Sequence, residues 1–186
     1  MRLHTLEQME YFMLEPQHVA NCKVVHRREA LYDLMPKNAI VTEIGIFHGE
    51  NALQIYQRSN PKHLYLIDKR IEERTRKSLS YENITFIEEY SHVALEECFE
   101  NNFFDWAYLD TDHTYKTTQL ELKVLEKKVK PTGRILGHDY LPQRKDAWYG
   151  VIPAVNEFCK SYDWEFEYFS LDAGGHFSFC IRKINS

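Results

Sequence analysis

The sequence has no metal-knuckle spacing, no membrane-length apolar run and no excess of positive charge. Its four cysteines, Cys22, Cys98, Cys159 and Cys180, form no CxxC pair and no Cys/His cluster. That spacing excludes the common structural zinc sites and thioredoxin-like redox motifs, and the expectation is four free thiols in a reducing compartment. No apolar stretch approaches the ~20 residues of a membrane span. The first residues, Met1-Arg2-Leu3-His4-Thr5-Leu6-Glu7, lack the apolar stretch of a signal peptide. The default compartment is therefore the cytoplasm, with no membrane partner. There is no internal repeat, low-complexity tract or Gly/Pro/Ser-rich linker, which argues against solenoids and multi-domain arrays. A formal net charge of −5 argues against a protein that coats nucleic acid.

A chain of 186 residues suits one domain with a sizeable core. Its aromatics are plentiful, with 12 Tyr, 11 Phe and 3 Trp. They could serve the core, a substrate pocket or an interface, so a homo-oligomer stays open. Residues 1–26 read as an N-terminal extension and 27–186 as the domain. Arg27–Leu34 reads as a helix, broken by Pro36-Lys37-Asn38. Apolar, β-branched runs then alternate with helical patterns. The strands expected are Ala39–Ile44, His63–Asp68, Asn83–Glu88, Asp105–Asp110 and Arg134–His138. Between them lie helical patterns at Glu50–Arg58, Ile71–Leu79, His92–Phe99 and Thr117–Lys128, and Pro131-Thr132-Gly133 reads as a turn. A helix over 150–162 precedes two strands, Trp164–Ser170 and His176–Arg182, which should form an antiparallel hairpin at one sheet edge. Alternating strands and helices predict a parallel sheet covered on both faces, with a ligand crevice at the carboxyl ends of the strands.

Glu43-Ile44-Gly45-Ile46-Phe47-His48-Gly49 ends the first of these strands and opens a helix. Glycine lets backbone approach a ligand closely, and a helix N-terminus offers free N–H groups to an anion. A nicotinamide enzyme would prefer GxGxxG for its pyrophosphate. Glu43 stands where that pyrophosphate would sit, and it suits instead the amino group of a zwitterionic amino acid. Asp68, at the end of the next strand, can accept both hydroxyls of a ribose. Either glycine alone would be read as an ordinary turn, and Asp68 alone as a solvated acid; their joint placement carries the argument.

Three further motifs follow: Asp110-Thr111-Asp112-His113-Thr114-Tyr115, Lys130-Pro131-Thr132-Gly133 and Gly137-His138-Asp139-Tyr140. With Gly150-Val151-x-x-Ala154-Val155-x-Glu157-Phe158 and the Glu43–Gly49 loop, the chain over about 27–183 resembles the class I S-adenosylmethionine-dependent methyltransferases. The subgroup with DxDHxY and HD motifs is the most similar, and many of its members look like O-methyltransferases of sugars or small molecules. The resemblance implies an α/β, Rossmann-like three-layer sandwich: a seven-stranded, mostly parallel sheet with an antiparallel last strand. It implies that Glu43, Gly45 and Gly49 hold the methionine end of S-adenosylmethionine and Asp68 its ribose. Ser91 would stand at the adenine and Asp110 beside the cofactor. Thr132 replaces the first glycine of the family's turn, and Glu89-Tyr90-Ser91-His92 lacks the usual glycine.

Methyl transfer to oxygen needs in-line approach and often a base, because a hydroxyl is a poor nucleophile at neutral pH. His113 is the candidate base, since its ordinary pKa lies near neutrality, and Asp139 is the second catalytic candidate. The alternative for His113 is a histidine that only ties down its turn. By resemblance to metal-dependent members, Asp110, His138 and Asp139 would hold a divalent cation, Mg²⁺ or, given the imidazole, Mn²⁺. The alternative has them hydrogen-bonding loops and each other. Arg27, Arg28, Arg70, Arg74, Arg76 and Lys77 read as solvated helix faces. Gln143–Tyr149 could form a lid with Trp148 and Tyr149 stacking on a sugar or ring. Two rival classes remain: a non-catalytic cofactor-binding or regulatory domain, and a nicotinamide-dependent oxidoreductase, against which the absent glycines count.

Overall fold

A computed structural model describes residues 13–141 and 150–184. The Gln143–Tyr149 segment, with its expected lid, lies outside the described residues. A 3-10 turn at Pro16–His18 leads to a short strand, β1 (Lys23–Val25). Then follow α1 (Glu29–Leu34), β2 (Ile40–Ile44), α2 (Glu50–Ser59), β3 (His63–Asp68), α3 (Glu73–Ser78), β4 (Ile84–Glu88) and α4 (Ser91–Cys98). The second half runs β5 (Phe104–Leu109), α5 (Tyr115–Lys128), β6 (Val129–Gly137), α6 (Val151–Tyr162), β7 (Trp164–Ser170) and β8 (Phe179–Lys183). No described helix is long and apolar enough to cross a membrane.

The eight strands form one sheet in the order β1-β7-β8-β6-β5-β2-β3-β4. β2 through β6 pair in parallel, and β8 alone is antiparallel to its neighbours β6 and β7. The strands carry apolar side chains on both faces because each face is covered. Ile44, Ile67, Ala107, Leu109, Ile135 and Ile181 pack under α4, α5 and α6. Val41, Leu64, Leu66, Trp106, Tyr108 and Leu136 pack under α1, α2 and the ends of α3. This is the sandwich expected of alternating β and α segments.

Three differences from the sequence expectation have local causes. The sheet has eight strands rather than seven, because Lys23–Val25 pairs in parallel with β7 at Tyr168–Ser170. Three residues are too few to show a periodicity of two. The terminal hairpin is not at an edge: β8 inserts beside β6, and β7 is covered on its outer side by β1. Finally, Pro131-Thr132-Gly133 is not a free turn but a bulge within β6. The register steps from Phe104↔Val129 to Trp106↔Arg134, so the extra residues are absorbed without ending the strand.

The order β5-β2 marks the topological switch. Chain leaves β2 toward β3 on one side, and β5 sits on the other, so the carboxyl ends of β2, β5 and β6 flank a crevice.

Candidate active site

At the first strand end, Gly45 has φ +83°, and a Cβ there would stand 2.0 Å from the Asp110 carbonyl oxygen. The β2 loop can therefore lie against the β5 loop only with glycine at this position. Asp110 in turn donates its backbone N–H to Ile44 O at 2.8 Å, which locks the two strand ends together. Beyond Gly45 the chain needs a second left-handed residue, and it is Phe47, with φ +44°. A non-glycine there stores strain of about 1–2 kcal/mol, and its ring is 74% exposed. Gly49 has a different duty. A Cβ on it would meet Thr75 Cγ2 and Leu79 Cδ1 at 2.9 Å, so it permits the start of α2 to pack on α3.

Asp68 receives the loop. Its Oδ2 accepts from Ile46 N at 2.9 Å and Phe47 N at 3.4 Å, and its Oδ1 from Arg70 N at 3.1 Å. The carboxylate thus fixes the loop's shape. Glu43, buried at 1% exposure, points beneath that loop. Its Oε1 accepts from Asn51 Nδ2 at 2.8 Å, and Asn51 Oδ1 accepts from Tyr32 OH at 2.6 Å. Its Oε2 is buried and has no hydrogen-bond partner among the described residues. Burial, with Asp110 and Asp68 adding to it, pushes the Glu43 pKa up to about 8 against the opposing pull of Asn51 and Arg28. A buried carboxylate with one bare oxygen is costly unless a donor arrives. An ammonium group would meet that need.

Ser91 opens α4, and its hydroxyl donates to Glu121 Oε1; Thr111 donates to Glu121 Oε2 at 2.9 Å. Glu121 is fully buried on α5, and burial lifts its pKa to about 7 even though both hydroxyls favour the charged form. Sequence reading placed this residue on a helix without a role. Its burial depends on partners in two other loops, which no helical stripe reveals.

The ends of β5 and β6 meet in a cluster of five titratable side chains. His113 Nε2 lies 3.0 Å from Asp110 Oδ1 and 2.9 Å from Asp139 Oδ2. His138 Nδ1 lies 3.6 Å from Asp110 Oδ2 and 3.5 Å from Asp139 Oδ2. His176, from the turn between β7 and β8, bonds Asp139 Oδ1 through its Nδ1. Both His113 (φ +60°) and Asp139 (φ +55°) sit in the left-handed region, a cost that packed surroundings must impose. Burial would raise the Asp139 pKa, but its three histidine partners hold it well below the usual carboxylate range. For His113, burial would lower the pKa, but the hydrogen bonds to Asp110 and Asp139 prevail and raise it to about 10. At neutral pH this ring is an imidazolium clamped by two carboxylates. It is a proton donor until something else satisfies those carboxylates.

The ligand atoms of Asp110, His113 and Asp139 all lie within 4.8 Å of one another. The set expected from sequence, Asp110, His138 and Asp139, therefore shares two members with this geometric trio; His138 borders it. His176 was absent from the expected site because it lies far along the chain in a glycine-rich turn. Asp112 is turned to another task. It accepts from Thr114 N at 3.0 Å and Thr117 Oγ1 at 2.9 Å at the start of α5. Tyr115 extends the same motif across to α6, where its hydroxyl donates to Glu157 Oε2. Leu109, Asp110, Thr111, His113, Thr118, His138, Val151 and Phe179 line a small open cleft. Arg28 departs from expectation. It is not a solvated helix-face residue: its guanidinium reaches the cluster, 4.0 Å from Asp110 Oδ2, with its side chain only 26% exposed.

The matching family model, described as a methyltransferase domain, covers residues 42–140, just over half of the chain, and the chain belongs to that family. Solved structures share the fold at low identity. A protein assigned as an rRNA methylase from Clostridium thermocellum superposes with TM-score 0.68 at 15% identity, over 85% of this chain and 94% of that one. A protein assigned as a methyltransferase from Streptococcus mutans, in complex with S-adenosylhomocysteine, gives 0.62 at 17% identity over 86% of this chain and 100% of the other. The Burkholderia thailandensis 1,6-didemethyltoxoflavin-N1-methyltransferase, with its substrate and S-adenosylhomocysteine bound, gives 0.61 at 14% over 84% and 76%. No curated protein sequence matches the chain. The fold is thus that of the class I S-adenosylmethionine-dependent methyltransferases.

The pair of buried acids makes a pH prediction. Glu121 has a folded pKa near 7, above its ordinary 4.5. Its protonation therefore stabilises the fold fully below pH ~4.5, and that stabilisation is lost as pH rises through 7. Glu121→Gln keeps the shape and cannot ionise. Urea unfolding should find it close to wild type at pH 5 and more stable than wild type by about 2–3 kcal/mol at pH 8.5. A difference that does not vary with pH would mean Glu121 stays charged in the fold.

Proposed function

We propose that this methyltransferase uses S-adenosylmethionine to methylate a hydroxyl of a sugar or small molecule, with a divalent cation assisting at the ends of β5 and β6. The observation that carries the cofactor reading is the bare, buried Glu43 Oε2 beneath the Gly45 loop. A pyrophosphate would repel it, whereas the amino group of the cofactor would satisfy it. The S-adenosylhomocysteine in two structural relatives supports the same reading. In this reading Asp68 shapes the loop and faces the ribose, Ser91 stands at the adenine, and Gly45 and Gly49 give the loop its path. Asp110 borders both cofactor and acceptor.

The cation reading rests on the donor set. Two carboxylates and an imidazole converge within 4.8 Å, a chemistry that fits Mn²⁺ or Mg²⁺. Asp110 and Asp139 would hold the ion, with His138 at their border as the nitrogen donor, so that His113 keeps the role of base. When bound, such an ion lowers the pKa of an acceptor hydroxyl and orients it. The residues themselves do the rest. Withdrawing the two carboxylates from His113 would remove what holds its proton, so the ring would release that proton to solvent and, as neutral imidazole, could accept one from the acceptor. Asp139, fixed by His176, keeps the ring in place.

The test is methyl transfer from labelled cofactor to hydroxylated sugars and small molecules, before and after exhaustive chelation. Transfer that falls to a small residual rate on chelation and returns with Mn²⁺ or Mg²⁺ is expected. Full activity after chelation would overturn the cation reading, and the absence of cofactor binding in calorimetry would overturn the cofactor reading.

A further inference from the structure

We propose that Arg28 binds the carboxylate of the cofactor's methionine end, so that the zwitterion is held by a pair of opposite charges, Arg28 and Glu43. The proposal rests on the S-adenosylmethionine reading and deepens it.

The observations begin with position. β1 adds to the sheet beside β7, and the chain then passes over the sheet's carboxyl ends to start α1. Arg28 lies at that turn. Its backbone N–H donates to Asp172 Oδ1 at 2.8 Å, and Ser170 holds the other oxygen of Asp172. Arg28 is therefore anchored by its backbone to the β7–β8 turn, which leaves its side chain to reach inward. The extra strand thus places a guanidinium over the crevice.

Its surroundings then point to a ligand. The guanidinium is 4.0 Å from Asp110 Oδ2, at the limit of an ion pair and beyond hydrogen-bond length. An arginine carries five N–H donors in a fork that matches a carboxylate. An ion pair this loose leaves most of that fork for an incoming anion. The Tyr32 and Tyr108 hydroxyls lie beside it, with Tyr108 close enough to take one N–H, and both residues are fully buried, so the remaining donors sit against a wall that excludes water. Tyr32 also ends the Tyr32–Asn51–Glu43 relay. Arg28 and the bare Glu43 oxygen are thereby served by the same small group of side chains. The Arg28 charge is close enough to pull the Glu43 pKa down against the burial that raises it.

An amino acid is the ligand that needs both features. Its ammonium meets the bare carboxylate oxygen, and its carboxylate meets the unspent fork. An uncharged acceptor would use neither.

The test compares two probes by calorimetry: S-adenosylhomocysteine, which has the amino-acid end, and 5′-methylthioadenosine, which lacks it. Arg28→Gln should weaken S-adenosylhomocysteine by about 10- to 100-fold and leave 5′-methylthioadenosine within about two-fold of wild type. Arg28→Lys, which keeps the charge but not the fork, should recover part of the loss. Equal weakening of both probes would assign Arg28 a merely structural role and overturn the proposal. Unchanged S-adenosylhomocysteine affinity with a raised acceptor KM would give the guanidinium to the acceptor and overturn it as well. If wild type fails to bind S-adenosylhomocysteine at all, the cofactor reading falls, and this proposal with it. If wild type binds and the selective loss is missing, the Arg28 assignment falls alone.

Discussion

His113→Gln is expected to slow methyl transfer by about 10²–10⁴-fold, the usual loss for a positioned base, with cofactor affinity nearly unchanged. Glutamine keeps approximate size and can still hydrogen-bond Asp110 and Asp139, but it cannot carry a proton away. The pH dependence adds a sharper signature. In the free protein the His113 pKa is raised to about 10, so the base form is scarce at neutral pH. Without added cation, single-turnover rates of wild type should climb as pH rises from neutrality toward that value. With Mn²⁺ or Mg²⁺ present the climb should move to lower pH, because positive charge at Asp110 and Asp139 opposes protonation of the ring between them. The glutamine variant should show neither feature. A variant within about three-fold of wild type across this range, far short of a lost base, would move the role elsewhere. Asp139 would then be tested next, and positioning without a protein base would become the leading mechanism.

How much of this was legible beforehand follows a physical rule. The order of the central strands and helices is readable because β2, β3, β5 and β6 bury apolar side chains and α2, α5 and α6 carry buried residues at helical spacing. The loop from Glu43 to Gly49 was readable because its chemistry is local: one acid and two glycines between a strand and a helix. That Asp110, His113, His138 and Asp139 gather at neighbouring strand ends is readable for the same reason, since they are polar residues just past buried runs. What escaped depends on contacts distant in sequence. Arg28 reads as one basic residue among several until β1 places it over the crevice. Glu121 is one polar position on a helix until Ser91 and Thr111 turn their hydroxyls to it. His176 is a turn residue until the hairpin closes on Asp139. Ser91 itself was expected at the adenine, and the structure adds that its proton is already committed to Glu121.

Gly45→Ala should be the most damaging single change in the cofactor loop. Two costs add. At φ +83° an L-residue with a side chain is strained whatever the space around it. The added Cβ would also lie 2.0 Å from the Asp110 carbonyl oxygen and 3.1 Å from Thr111 Cα. Neither is the flexible end of a side chain, so relief requires the β2 and β5 loops to part. Parting them stretches the Asp110 N–H to Ile44 O bond, at 2.8 Å. Strain and overpacking together suggest a loss of about 3–5 kcal/mol, a large share of a small domain's stability. Separated loops would also carry Asp110 away from Asp139 and lift the floor of the cofactor cleft. Urea unfolding should show the loss of stability. Wherever the variant remains folded, calorimetry should show S-adenosylhomocysteine binding weakened by more than about 100-fold, the effect of losing more than one charge-assisted hydrogen bond. Gly49→Ala is the control. At φ +88° it carries the same backbone strain, but its Cβ would meet only the side-chain carbons of Thr75 and Leu79 at 2.9 Å, so it should cost stability while leaving the Gly45–Asp110 contact intact. If Gly45→Ala binds the cofactor no more weakly than Gly49→Ala, the close approach of the two strand ends is not what builds the site.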